Sequence, residues 1–216
     1  MIRTPSRFGG EAKPLTSVCA ATLLTVTDAP PEFSTAASQL ERATLRPEIT
    51  LTPIPSPGSV APFSVAFAAE VRSGKDDAGA SLGTGRFILL YDPEQVDAWG
   101  GNFRVVTYAQ CPLELDIFSD QLLAEVTWSW LIDALAGHGA QYTRPAGTAT
   151  RVISTGFGDL SDNPDSAHIE LRASWSPTNS DLSGALEAFG DLLCLMAGLP
   201  PLPGAASLHA KKRERG

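Results

Sequence analysis

The chain has 216 residues, a net charge of −8 and an apolar content of 43%, which is enough to bury the core of one soluble domain. The acidic balance, with a sequence pI of about 4.8, argues against nucleic acid as a partner, because proteins that bind it present a basic face. No apolar run is long enough to span a bilayer.

The cysteines indicate the redox state of the protein's compartment, and the composition of the two chain ends indicates the limits of its folded domain. Cys19, Cys111 and Cys194 form no close pair with the spacing of a metal site or a redox motif, so a reducing compartment is expected. Residues 1–30 are predicted to be a poorly ordered leader, because their apolar run is too diluted for a secretory signal. A single domain over 31–204 is expected to precede a disordered basic tail over 205–216.

The first half of the chain is predicted to form one helix and then three or four strands. Pro31 opens the helix, since proline suits the first helical turn, and Pro47 limits its end. Alternation of apolar and polar residues then predicts strands over 48–54 and 63–72. An unbroken apolar run predicts a central strand over 84–91, and the segment after the turn signal at 100–102 predicts a fourth over 103–109.

The central helix is predicted over 122–136 and has apolar residues on two sides. At 3.6 residues per turn its sequence makes two stripes, Leu122, Val126 and Trp130 on one side and Trp128, Leu131 and Leu135 on the other. A helix apolar on two sides is expected to lie between a sheet and a second layer, or at a subunit interface.

The second half predicts strands over 148–155 and 167–175 and a last helix over 180–197, which Gly198 and Pro200 terminate. The short spacing between strands favours antiparallel pairing. We therefore predict an α+β fold with a mostly antiparallel sheet of five to six strands, about three helices, and the order α-β-β-β(-β)-α-β-β-α.

The sequence contains no motif that predicts a particular reaction. The nucleophile elbow, the zinc-protease pattern, the phosphate loop and the dinucleotide fingerprint are absent. His168 and Glu170 have the His-x-Glu spacing of zinc deaminases, but the Pro-Cys-x-x-Cys half of that motif is missing. On a strand, His168, Glu170 and Arg172 share one face. They more simply form the solvated face of a strand at an accessible edge of the sheet, so we predict neither a metal nor a cofactor.

Three polar residues of the central helix are the candidate binding residues. Glu125, Ser129 and Asp133 follow one another at a spacing of four. Two carboxylates in apolar surroundings can do acid–base work, because burial and mutual repulsion raise one pKa. The alternative is that they lie at the solvated margin of the helix.

Seven segments carry a family resemblance. They are Leu45-Arg-Pro-Glu, Leu90-Tyr-Asp-Pro, Phe103-Arg-Val-Val-Thr-Tyr, Trp128-Ser-Trp-Leu, Phe157-Gly-Asp-Leu, Glu170-Leu-Arg-Ala-Ser-Trp and Ala197-Gly-Leu-Pro-Pro-Leu-Pro-Gly. Through them the chain resembles, from about Pro31 to Gly204, an uncharacterised actinobacterial family, domain-of-unknown-function family 3000. The resemblance implies a cytoplasmic bacterial protein and brings no activity, cofactor or catalytic residue.

Two functions follow as hypotheses. The first is a small non-enzymatic binding or adaptor protein that acts through a protein surface, with a protein partner or a second copy of itself as a homodimer, and with neither nucleic acid nor membrane. The alternative is a small-molecule binder or an enzyme of unknown reaction, whose pocket lies between the sheet and the central helix with Glu125 or Asp133 at its mouth.

Overall fold

The computed structural model describes residues 29–73, 80–118, 120–179 and 181–201. The strands are β1 (Ile49–Ile54), β2 (Phe63–Arg72), β3 (Ser81–Tyr91), β4 (Phe103–Leu113), β5 (Tyr142–Ser154) and β6 (Ser166–Pro177). The helices are α1 (Pro31–Leu40), α2 (Val96–Trp99), α3 (Leu115–Phe118), α4 (Leu123–Gly137) and α5 (Ser183–Met196). The predicted basic tail, and all of the predicted leader except residues 29 and 30, lie outside the described residues.

All six strands form one antiparallel sheet with the order β1-β2-β3-β4-β6-β5. This arrangement confirms the predicted α+β class, its element order and the upper strand count. The predicted number of about three helices covers only the long ones, because α2 and α3 have four residues each.

The core lies between one face of the sheet and the helices α4 and α5. Every second residue of β2, β3, β4 and β6 points into it, and α5 contributes the largest set of fully buried side chains, among them Leu186, Phe189 and Leu193. At Gly85 of β3 the helix comes so close that an added Cβ would lie 2.7 Å from Cζ of Phe189. Glycine therefore sets how closely α5 approaches the sheet.

Helix α4 buries one side only. Its buried residues are Leu123, Thr127, Leu131 and Leu135, whereas Leu122 and Val126 of the other predicted stripe are 59% and 37% exposed. Trp128 packs on β5, where a Cβ at Gly147 would lie 2.6 Å from its ring. Trp130, the third residue of that stripe, is partly buried and packs against the core. Among the described residues the second apolar side of α4 is thus only partly covered, unlike the two-sided packing that the pattern predicts.

The end of α4 is joined to α5 by one histidine. Nδ1 of His138 lies 3.2 Å from Oε2 of Glu187, and Nε2 lies 2.8 Å from Oδ2 of Asp191. The same Glu187 accepts a hydrogen bond from the backbone N–H of Thr44 through Oε1. His138 therefore links α4 to α5, and Glu187 links α5 to the segment between α1 and β1.

The buried Arg46 links the residues just before β1 to the end of the last described segment, 181–201. Arg46, 7% exposed, donates to both carboxylate oxygens of Glu48, from Nη2 at 2.9 Å and from Nε at 3.3 Å. Its Nη1 donates to the carbonyl oxygen of Pro200 at 2.8 Å. The hydrogen bonds from Arg46 lower the pKa of Glu48.

The ion pair between Arg46 and Glu48 predicts that part of the free energy of unfolding depends on pH. A carboxyl whose pKa is lower in the folded than in the unfolded state stabilises the fold above its unfolded pKa, and the contribution is lost as the pH falls through the folded value. We expect Arg46→Met to reduce the free energy of unfolding by about 2 kcal/mol at pH 7, and by clearly less at pH 3. Urea unfolding at both pH values measures the difference.

Arg42→Met, at an exposed arginine four residues earlier, is the matched control and should stay within about 0.5 kcal/mol at both pH values. An equal loss for Arg46→Met at pH 3 and pH 7 would contradict the assigned role of the Glu48 carboxylate.

No helix within the described ranges has the length and apolar character needed to cross a membrane.

Candidate functional site

The face of the sheet opposite the helices carries the alternate side chains of all six strands. We call it the open face. Strand pairing arranges its residues in rows across the sheet, and the central row is Thr52, Ala68, Arg86, Tyr108, Arg172 and Thr148. Neighbouring strands lie about 5 Å apart, so Arg86 and Arg172 flank Tyr108 on either side.

The open face forms a groove with a volume of about 1140 Å³. Residues of all six strands line it. Its hydroxyl-bearing residues on the open face are Thr50, Thr52, Thr84, Tyr108, Thr148 and Ser174, and its apolar ones include Ala68, Ile88, Val106 and Ala146. A wide groove of mixed hydroxyl and apolar character, with arginines in its central row, offers several kinds of contact to a bound chain.

Arg86 is the accessible cation of the groove. It projects from β3 near the middle of the sheet, and its side chain is exposed. Within the described ranges its guanidinium has no carboxylate at ion-pair distance. A guanidinium presents its N–H donors in a planar fork that suits a carboxylate, so Arg86 is free to bind an anionic group from outside.

Tyr108 and Arg172 form a fixed polar platform beside it. Cζ of Arg172 lies 5.5 Å from the centroid of the Tyr108 ring, and Nη2 donates to Oε2 of Glu170 at 2.9 Å. The hydroxyl of Tyr108 donates to Oε1 of Gln110 at 2.8 Å. Burial, and then the neighbouring Glu170, raise the pKa of Tyr108, so the phenol keeps its proton at neutral pH and acts as a hydrogen-bond donor.

The open face is locally basic although the whole protein is acidic. Its strand positions carry the arginines Arg72, Arg86, Arg104 and Arg172 against the glutamates Glu70 and Glu170. Both glutamates are engaged by an arginine two residues away, at 2.9 Å in each pair. Arg86 and Arg104 are therefore the cations that no described carboxylate neutralises.

Arg104 closes one end of the open face. Its guanidinium donates to Oγ of Ser174 at 2.6 Å, to Oγ of Ser176 at 3.1 Å and to the carbonyl oxygen of Arg144 at 2.9 Å. The hydroxyl of Ser176 donates in turn to the carbonyl oxygen of Trp99, at the end of α2. Burial, and then the nearby Arg144, lower the pKa of Arg104, but an arginine stays charged at neutral pH.

The candidate residues of the central helix lie elsewhere. Glu125, Ser129 and Asp133 are exposed on α4, on the side turned away from its buried stripe. None of the three lines the open-face groove. A binding role for them remains a prediction, which a comparison of ligand-induced thermal shifts in Glu125→Gln and Asp133→Asn would test.

His168, Glu170 and Arg172 share the open face, as the alternation of their strand predicts. Nε2 of His168 lies 3.4 Å from Oε1 of Glu170. Their strand, however, is not at an accessible edge of the sheet, because β6 lies between β4 and β5. Sequence spacing does not contain strand order, so the edge position was wrong while the shared face was right.

Arg86 and Tyr108 are the site residues that the sequence reasoning missed. The signal was present, because both are polar residues within segments that the sequence predicts as strands, 84–91 and 103–109. The sequence does not show that Arg86 and Tyr108 lie in one row with Arg172, which belongs to a strand more than sixty residues further along the chain.

A second, smaller cavity of about 430 Å³ lies beside α1. It is mostly apolar and is lined by Pro31, Glu32, Thr35, Ala36, Phe103, Asn179 and Leu182. It lies at the helix-covered side of the molecule and shares no lining residue with the open-face groove.

Fold and site together define a small antiparallel α+β protein with one sheet face covered by helices and the other left open as a groove. The chain belongs to the family described as protein of unknown function (DUF3000), whose model matches residues 29–206. This match confirms the family resemblance. No curated protein matches the chain, and no solved structure matches it.

Proposed function

We propose that this protein is a non-enzymatic binding protein that takes an acidic, extended segment of a partner protein into the groove of its open face. The observation that carries the proposal is the central row, in which Arg86 and Arg172 flank Tyr108 at the middle of a locally basic face. The function of the family as a whole is unknown.

The chemistry of the groove supports an acidic partner. Arg86 donates no hydrogen bond to a described side chain or carbonyl, and charge-assisted hydrogen bonds to a carboxylate are about twice as strong as neutral ones. The threonine and serine hydroxyls that line the groove can bind the backbone of the same segment. Among the described residues outside this face, carboxylates outnumber arginines, so the open face is the described surface that attracts a negative segment.

The dimensions of the groove support an extended segment over a compact ligand. Small-molecule sites bury most of their ligand in a closed cavity, whereas this groove crosses all six strands. Five interstrand spacings amount to roughly 24 Å, the length of about seven residues of extended chain. A protein segment therefore matches the groove in length as well as in charge.

Binding of a model acidic peptide tests the proposal. A fluorescein-labelled decapeptide of alternating Glu and Ser is titrated with the protein at low salt and followed by fluorescence anisotropy. Arg86→Glu should weaken binding by at least about tenfold, since a hydrogen bond to a charged group contributes about 1.5–3 kcal/mol. Binding should also weaken as salt is raised.

Arg42→Glu makes the same charge change at an exposed arginine outside the groove and should leave the affinity unchanged. A decapeptide of alternating Lys and Ser should not bind. Equal affinity of the acidic peptide for the Arg86→Glu and Arg42→Glu variants would overturn the groove as the binding site.

The compartment proposed for this activity is the cytoplasm of a bacterium. Cys111 and Cys194 are free and buried, and free thiols are typical of reducing compartments. The partner is proposed to be a protein and not a nucleic acid, because among the described residues only two arginines, Arg86 and Arg172, line the groove, whereas a nucleic-acid site neutralises several phosphates with basic side chains.

A further inference from the structure

The two edges of the sheet are built differently. The edge strand β1 has six residues and contains Pro53, which are common ways of blocking a sheet edge. The edge strand β5 has thirteen residues and is exposed along most of its length. Among the described residues, β5 pairs only with β6, so its outer backbone groups have no strand partner.

Only the first part of β5 is protected. Arg144 has a positive φ of 50°, and the pairing with β6 shifts register between Thr143 and Ala146. From Ala146 to Ser154 the pairing is regular, and this segment contains one charged residue, Arg151. Nη1 of Arg151 donates to the carbonyl oxygens of Phe118 and Asp120 at 2.9 and 2.7 Å, so its charge is held on the helix side of the sheet.

We propose that β5 pairs with β5 of a second copy of this chain, antiparallel and about a two-fold axis at Thr150, so that two sheets join into one of twelve strands. With Thr150 opposite Thr150, residues 146–154 of the two copies match from end to end. The pairs are Thr148 with Val152 and Ala146 with Ser154 on the open face, and Arg151 with Ala149 on the helix face. No charge then lies directly opposite a like charge.

The same register covers an exposed apolar side chain. It places Ile153, which is 50% exposed, opposite Gly147 of the second copy. Trp128 lies over Gly147, where an added Cβ would come within 2.6 Å of its ring. Ile153 of each copy thus meets the Trp128 ring of the other on the helix face. This is the contact that identifies a second copy as the partner, because Ile153, Gly147 and Trp128 complement each other across the axis.

The pairing also extends the groove. Ala146, Gly147 and Thr148 line the groove of one copy at the β5 edge, and in the twelve-stranded sheet they adjoin Ser154, Ile153 and Val152 of the other. The dimer does not depend on what the groove binds, and the two proposals can fail separately.

Charge placed at the axis tests the pairing. Native mass spectrometry and light scattering of the full chain should give a mass twice that of the 22.7 kDa chain. Thr150→Lys and Thr150→Glu should each give the mass of one chain at the same concentration, because like charges meet at the axis. An equimolar mixture of the two variants should restore the dimer. Thr50→Lys puts the same charge on an exposed threonine of the other edge strand and should keep the dimer.

Four results would overturn the proposal. They are a wild-type monomer at about 100 µM, which would place the dissociation constant above that value, dimers of either Thr150 variant, a mixture that stays monomeric, or loss of the dimer in Thr50→Lys. Circular dichroism of each variant confirms that it is folded.

As a second readout, Thr150→Cys in a Cys19→Ser background should form an interchain disulfide under mild oxidation, since opposed Cα atoms in antiparallel strands lie about 4.5–5.5 Å apart. Absence of this disulfide in a dimer would exclude the register.

Discussion

Phe189→Ala is expected to lower the free energy of unfolding by about 3–5 kcal/mol, the range for removing a buried aromatic ring. Phe189 is 1% exposed and lies at the centre of the contact between α5 and the sheet. Its ring centroid is 5.8 Å from that of Phe87 on β3, and its Cζ occupies the space above Gly85 that a side chain would otherwise fill. The cavity left by alanine would be bounded by sheet backbone on one side and by a packed helix on the other, so it cannot readily collapse.

Urea unfolding monitored by circular dichroism measures this loss. Phe157→Ala is the matched control, because Phe157 is 80% exposed and the same substitution there should change stability by less than about 0.5 kcal/mol. Equal effects at the two positions would mean that α5 does not pack on β3 as described.

The second large effect concerns the two buried thiols. Burial, and then the neighbouring Cys194, raise the pKa of Cys111 to about 12. Burial is also the main reason that the pKa of Cys194 is raised to about 11. The thiolate is the reactive form, so at pH 8 both thiols should react with iodoacetamide at least about a hundredfold more slowly than an exposed cysteine.

Labelling followed by intact-mass spectrometry measures this protection, in a Cys19→Ser variant so that only Cys111 and Cys194 contribute. In the native protein the mass should stay unlabelled over the time in which free cysteine reacts fully. In 8 M urea both thiols should be labelled at the rate of free cysteine. Rapid labelling of the native protein would show that the interface between β4 and α5 is open. The double variant with Phe189→Ala should label faster than Cys19→Ser alone, because a less stable fold exposes its thiols more often.

Alternation of apolar and polar residues predicted strand bounds correctly where the two faces of a strand have different environments. The predicted bounds of β2, Phe63 to Arg72, are those of the structure, because its inward side chains meet the core and its outward ones meet the groove. The start of β5 was missed by six residues. Pro145 and Gly147 are typical of a loop, but pairing with β6 holds this segment extended, and Gly147 gives room for the Trp128 ring.

The central helix shows the limit of a pattern read on one element. Its bounds shifted by only one residue, to Leu123–Gly137, and Leu131 and Leu135 are buried as predicted. The sequence marks two apolar stripes without saying which of them meets the core. Packing on α5 and on β5 selected the stripe that includes Leu131. In the other stripe, Leu122 and Val126 are exposed, and only Trp130 packs against the core.

The sequence by itself determined the α+β class, the order of the long elements and which side chains of each strand share a face, because these depend on local periodicity and on turn residues. Only the tertiary structure decided the strand order β1-β2-β3-β4-β6-β5, and with it the neighbours of every open-face residue. Arg86, Tyr108 and Arg172 form one row because β6 pairs with β4, although α3, α4 and β5 lie between these two strands in the chain. Pairing between distant strands depends on how the whole core packs, and no local pattern in the chain contains it.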